Sequence, residues 1–159
     1  MSSDLSSSAK RVQQAILERG YQCDVLELPG STRTAQEAAD AVGCNLRQIV
    51  KSLVFVTTQS KEPILVLVSG ANRVNENHLA ELIGQAVVMA SSTFVREQTG
   101  YAIGGVPPLG HAHALRTFID SDLIEQQLLW AAAGTPHALF QVTPADLVAM
   151  TGGTVVKIA

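Results

Sequence analysis

VKSLVFVTTQSKEPILVLVS, Val50 to Ser69, sets two nearly continuous apolar runs on either side of one polar turn. Val50–Thr57 and Ile64–Ser69 are short, rich in β-branched and aliphatic side chains, and separated by QSKEP, so they read as paired core strands. Upstream, Ala9, Val12 and Ile16 recur at helical spacing up to a stop at Gly20. CDVLEL reads as a strand, and Thr34-x-x-Glu37 is a capping box that opens a short helix ending near Gly43. Downstream, Asn75 caps a helix that stops at Gly84. AVVMA is a strand candidate, and Ser92–Gly100 a short helix. Leu115–Asp120, Leu128–Ala133, Ala138–Val142 and the closing TVVKI read as strands, with a proline-led helix from Thr143-Pro144 to Gly152-Gly153 between the last two. Strands outnumber helices and two connections look like hairpins. The expected fold class is therefore α/β in the α+β sense: a mixed, barrel-like β-sheet core flanked by helices, not a doubly wound parallel sheet.

Composition narrows the function. The 159 residues suit one domain spanning the whole chain, with residues 1–8, MSSDLSSS, as a flexible N-terminus. Charged residues are 16% and mean hydropathy is +0.21, which opposes disorder over most of the chain. The apolar runs are too short to span a bilayer and no secretion signal is visible, so the chain reads as cytosolic. Two cysteines, Cys23 and Cys44, form no CxxC pair. A net charge of −3 argues against a broad duplex-binding face, and 4% aromatics argue against a base-stacking platform. A nucleic-acid partner would be gripped over a small part only, and neither DNA nor a membrane is expected as a partner.

GxSxG, the Walker phosphate loop, HExxH and GxGxxG are all absent. His111 and His113 could form a metal pair, but no third ligand lies near in sequence. Lys51 stands inside IVKSLVF. Taken alone it suits an edge strand with its ammonium in water better than a charge aimed from the rim of the sheet into a pocket. The run GYAIGGVPPLGH, Gly100–His111, carries four of the chain's 12 glycines and two of its 6 prolines, with no charged side chain before the final histidine. Such a segment is either a tight connection or a loop whose main chain is the working surface.

Lys51 in KSLVF, the apolar hairpin, Gly104-Gly105-Val106-Pro107-Pro108, the strand ending FID and then AAAGTPHALFQVTPADL form an ordered series. This series resembles the YbaK-type aminoacyl-tRNA editing domains, which also occur as the insertion domain of bacterial prolyl-tRNA synthetases. The resemblance covers roughly Thr34 to the C-terminus. It implies hydrolysis of the ester joining a wrong amino acid to tRNA, without a cofactor or metal. It makes Lys51, Gly104 and Gly105 the catalytic positions, with Lys51 on the terminal adenosine and the loop facing the aminoacyl carbonyl. Val106, Pro107, Pro108, Asp120 and His137 would bind substrate. Pro107 stands where several relatives have serine, which leaves the edited amino acid open among cysteine, alanine, serine and threonine. The partner implied is the CCA end of an aminoacyl-tRNA, tRNA(Pro) or a related one, with a synthetase as a second partner. A non-catalytic tRNA-end or synthetase-binding module, a metal hydrolase on His111 and His113, and a small-ligand barrel are the rival readings.

Overall fold

The structure is a computed structural model and describes residues 5–159. Residues 1–4 of the expected flexible terminus lie outside the described residues, whereas Ser6 caps the first helix, α1 (Ser7–Glu18), which starts just before the periodic positions. Strand β1 (Val25–Glu27) follows, then α2 (Ala35–Val42), whose Thr34–Glu37 capping box forms in full. A 3₁₀ turn, Leu46–Gln48, leads into β2 (Ile49–Thr57) and β3 (Pro63–Ser69). Next come α3 (Glu76–Ile83), β4 (Val87–Met89), α4 (Ser92–Thr99) and β5 (Arg116–Asp120). A four-residue helix, α5 (Ser121–Ile124), precedes β6 (Leu129–Ala132), β7 (Ala138–Val142), α6 (Pro144–Thr151) and β8 (Thr154–Val156).

The eight strands form one mixed sheet in the order β1-β7-β6-β2-β3-β5-β8, with β4 paired to β2 off this path. The hairpins β2–β3 and β6–β7 are antiparallel, while β2–β6, β3–β5 and β5–β8 are parallel. No ladder joins β1 to β8 among the described residues, so the sheet is open in its hydrogen bonding.

The continuous apolar run of β3 follows from its central place. Leu65 and Leu67 enter the larger core with Val12 and Ile16 of α1, Ile119, Phe140 and Leu147. Ile64, Val66 and Val68 enter a second core on the other face with Phe55, Leu79, Phe118 and Ile158. A strand covered on both faces has no position for a polar side chain. A third, small cluster joins Ala38 and Ala39 of α2 to Ile49 and Leu139, and docks that helix beside the start of β2.

Leu65 is fully buried and Val88, on β4, is half exposed. Leu65→Ala should cost about 2–5 kcal/mol and Val88→Ala about 0.5 kcal/mol or less in chemical denaturation. Similar losses at the two positions would contradict the assignment of β3 to the centre.

Candidate active site

Strand β2 has β3 along one edge and two partial neighbours on the other. There β6 pairs with Ile49 and Val50, and β4 with Phe55–Thr57. The edge of Lys51–Leu53 is left without a strand beside it, and a cleft of about 350 Å³ opens there. Its walls are β2, the loop Ile103–Val106, and the strap Thr32–Thr34 leading into α2, where Ala35 and Ala38 contribute small apolar surface.

Lys51 lies on this wall, half buried. Its Nζ donates to the Asn72 carbonyl at 2.6 Å. Asn72 is fixed in turn, its Nδ2 donating to Asp120 Oδ2 at 2.9 Å and to Asp122 Oδ2 at 2.7 Å. Asp120 is 1% exposed. Its Oδ2 also accepts from Ser69 N–H at 3.0 Å, and its Oδ1 accepts from Asp122 N–H at 3.0 Å, which caps α5. Burial holds the Lys51 ammonium below the usual lysine range, Arg73 pushes the same way, and Asp120 opposes both. The result is a partly desolvated cation with one protein partner among the described residues, and therefore with capacity for an anion or a hydroxyl.

The loop divides into residues that line the cleft and residues that hold it. Gly104 and Val106 line it. Gly104 has φ +93°, a region that side chains seldom tolerate, and an added Cβ would lie 2.7 Å from Arg33 Cγ. Gly105 turns the other way. Its N–H donates to Ala102 C=O at 3.0 Å, and its C=O accepts from Gly134 N–H at 2.8 Å, so this expected catalytic position turns its main chain into the fold. A Cβ on Gly105 would meet Thr135 backbone atoms at 2.8–2.9 Å. Pro107 and Pro108 are buried behind the loop, away from the cleft lining. His111 Nε2 donates to the Pro107 carbonyl at 2.6 Å, which pins the loop from behind. His113 is exposed, and no group of three His, Cys, Asp or Glu side chains suited to a metal occurs among the described residues.

Asp120 and His137 also stand outside the cleft lining. Asp120 acts on the cleft through Asn72. His137 acts through the strap: its Nδ1 donates to Gly30 C=O at 2.8 Å, its C=O accepts from Leu28 N–H at 2.7 Å, and Pro136 C=O accepts from Thr32 N–H at 2.6 Å. Three lining residues escaped the sequence reading. Arg33 is exposed at the mouth, and the hydroxyls of Thr32 and Ser52 are buried without hydrogen-bond partners. Ser52 had a signal, a polar residue inside KSLVF. Thr32 and Arg33 had none beyond a polar turn.

The family model for the aminoacyl-tRNA editing domain matches residues 30–150, most of the chain. The chain belongs to this family. An uncharacterised Bacillus subtilis protein, YwhH, is 31% identical over 140 residues, covering 88% of each chain. A proline–tRNA ligase of Kosmotoga olearia is 38% identical over 89 residues, but these are 55% of this chain and only 15% of the ligase. A solved structure described as that of a candidate trans-editing enzyme for prolyl-tRNA synthetase is 51% identical, with a TM-score of 0.93 over 98% of both chains. No helix among the described residues is long and apolar enough to cross a membrane.

Two outcomes follow from the loop's supports. Gly105→Ala should destabilise by about 1–3 kcal/mol because the contacted atoms are backbone; an unchanged denaturation midpoint would mean the Gly134–Thr135 turn gives way freely. For His111, burial lowers the imidazole pKa, with Arg19 adding to that and the Pro107 bond opposing it. The unfolded chain then binds more protons than the folded one just below the ordinary imidazole pKa of about 6.5, so stability should fall as pH drops through that window. His111→Gln should flatten this fall, read as melting temperature against pH for both proteins. A parallel fall in both would place the effect on other groups.

Proposed function

We propose that this chain is a trans-acting aminoacyl-tRNA deacylase, which hydrolyses the ester of a mischarged tRNA carrying a small amino acid. The substrate best suited is tRNA(Pro), or a related tRNA, bearing alanine, cysteine, serine or threonine. The observation that carries the reading is the cleft at the edge of β2, which brings Lys51 and Gly104 to one space. The family match and the likeness to a candidate trans-editing enzyme along its full length support it.

In this reading Lys51 holds the ribose or phosphate of the terminal adenosine, with Arg33 as a second cation at the mouth. Gly104 lets the loop approach the aminoacyl carbonyl without a side chain between them. Val106, Ala35 and Ala38 present apolar wall to a small side chain. The ester is already activated, so the site needs to place water and stabilise the oxyanion rather than form a covalent intermediate. Water oxygen bonds to the carbonyl carbon and the bond from that carbon to the ribose oxygen breaks. The ribose oxygen keeps one proton, and the amino acid leaves as its carboxylate with the other proton released to solvent. Asp120, His137, Gly105, Pro107 and Pro108 are positioning residues, since each acts through Asn72, the strap or the loop. The net charge of −3 and two cations on the cleft suit a CCA end, where few phosphates are neutralised.

Lys51→Ala should lower single-turnover deacylation on the order of 10²-fold while keeping a cooperative unfolding transition near that of the wild type. The side chain is partly buried, outside the buried core, and bonds only a loop carbonyl, so its loss removes little packing. A folded variant with full turnover removes Lys51 from the site. One that fails to fold makes the lysine structural instead.

A further inference from the structure

The opening in the edge of β2 is one residue wide, and that residue is Ser52. In an antiparallel strand the N–H and C=O of one residue point to the same side, and the side alternates along the chain. Ile49 C=O accepts from Gly70 N–H at 2.8 Å and Thr57 N–H donates to Glu62 C=O at 3.0 Å, so the odd-numbered residues of β2 face β3. Val54 C=O accepts from Ala90 N–H at 3.0 Å on the opposite edge, so the even-numbered residues face outward. Val50 is taken by β6 through its register with Ala131, and the next step of that ladder, Lys51 to Ala132, does not form. Ser52 therefore turns both main-chain groups outward with no strand to meet them, and neither has a hydrogen-bond partner among the described residues. Its hydroxyl and that of Thr32, which is 4% exposed, are orphaned on the same cleft. Buried polar groups without partners are rare in folded proteins, and a wall that collects them is built for a polar occupant.

We propose that Ser52 grips the aminoacyl group through its main chain: its C=O accepts from the α-ammonium, and its N–H donates to the ester carbonyl. Facing residues of an antiparallel ladder exchange both bonds in this way. An aminoacyl ester carries its nitrogen and carbonyl at the spacing of a chain residue, so it enters the gap as a single added strand residue. A peptide strand is excluded because Val50 and the Val54 carbonyl are already committed. Thr32 Oγ1 is an acceptor for a second N–H of the ammonium. The Ser52 N–H also fills the place left by Gly105, whose own N–H is spent on Ala102. It meets the carbonyl from the side opposite the Gly104 loop and stays on it as the oxyanion forms. This inference rests on the deacylase reading.

The direct test is amide NMR of the wild-type protein titrated with 3′-alanylamido-3′-deoxyadenosine, a non-hydrolysable amide analogue of the charged adenosine. At saturation the Ser52 amide proton should move downfield and its exchange with solvent should slow. The propionyl analogue, which lacks the ammonium, should bind about tenfold or more weakly. Replacing Ser52 by its α-hydroxy acid turns that N–H into an ester oxygen. Turnover should then fall on the order of 10²–10³-fold with a cooperative transition kept, since the N–H carries no ladder bond and the only ladder group touched is the Lys51 carbonyl, which becomes a weaker ester acceptor toward β3. An unmoved Ser52 amide at saturation, equal binding of the two analogues, or full turnover by the ester variant overturns the grip and leaves the deacylase reading standing. An alanyl analogue that does not bind overturns both.

Discussion

The shared edge of β2 is the constraint on which the rest of the molecule turns. One nine-residue strand must satisfy β3 along its length on one side and, on the other, a parallel neighbour at its start and an antiparallel neighbour at its end. Parallel and antiparallel ladders space their hydrogen bonds differently, and β6 and β4 approach from separate parts of the chain. They leave a break between them, and that break is the cleft. A closed ladder at Ser52 would be more regular and would have no site.

What surrounds the break is stiff. The loop Ile103–Val106 is tied by the Ala102–Gly105 turn, by Gly105 to Gly134, and by His111 to Pro107, while the strap before α2 is tied by His137 and Pro136. Fixed dipoles that need no reorganisation stabilise developing charge better than mobile ones, so this stiffness suits the proposed deacylation. The same division applies to Asp120. Its carboxylate is consumed by Ser69, Asn72 and Asp122, and its influence reaches the cleft as the placement of the Asn72 carbonyl that holds Lys51.

Most of the fold was legible because its signals are local. The apolar hairpin, the Thr34–Glu37 box and the Asn75 and Thr143 caps each name their element within a few residues, and all formed as read. Helix α5 was missed because its cap is Asp120, the last residue of a strand, and its four residues are too few for a period to show. The site was legible where a residue type was out of place, as with Lys51 in an apolar strand and Gly104 in a bare loop. It was not legible where the decisive fact is a pairing between distant segments. Gly105 looked equivalent to Gly104 in sequence, yet the Gly134–Thr135 turn claims it, and only the fold says that Ser52 is the residue β6 and β4 leave uncovered.

The family places this chain among editing domains, and the proposed role requires that its own cleft release an amino acid from tRNA. The most direct measurement is deacylation by the purified wild-type protein, without any synthetase, over tRNA(Pro) charged with alanine, cysteine, serine, threonine or proline. The amino acid should be freed faster than by spontaneous hydrolysis from at least one small mischarged species, with tRNA(Pro) itself intact and prolyl-tRNA spared. No acceleration on any of the four, with binding of the charged tRNA nonetheless measurable, would contradict it and leave a module that holds the CCA end without cutting the ester.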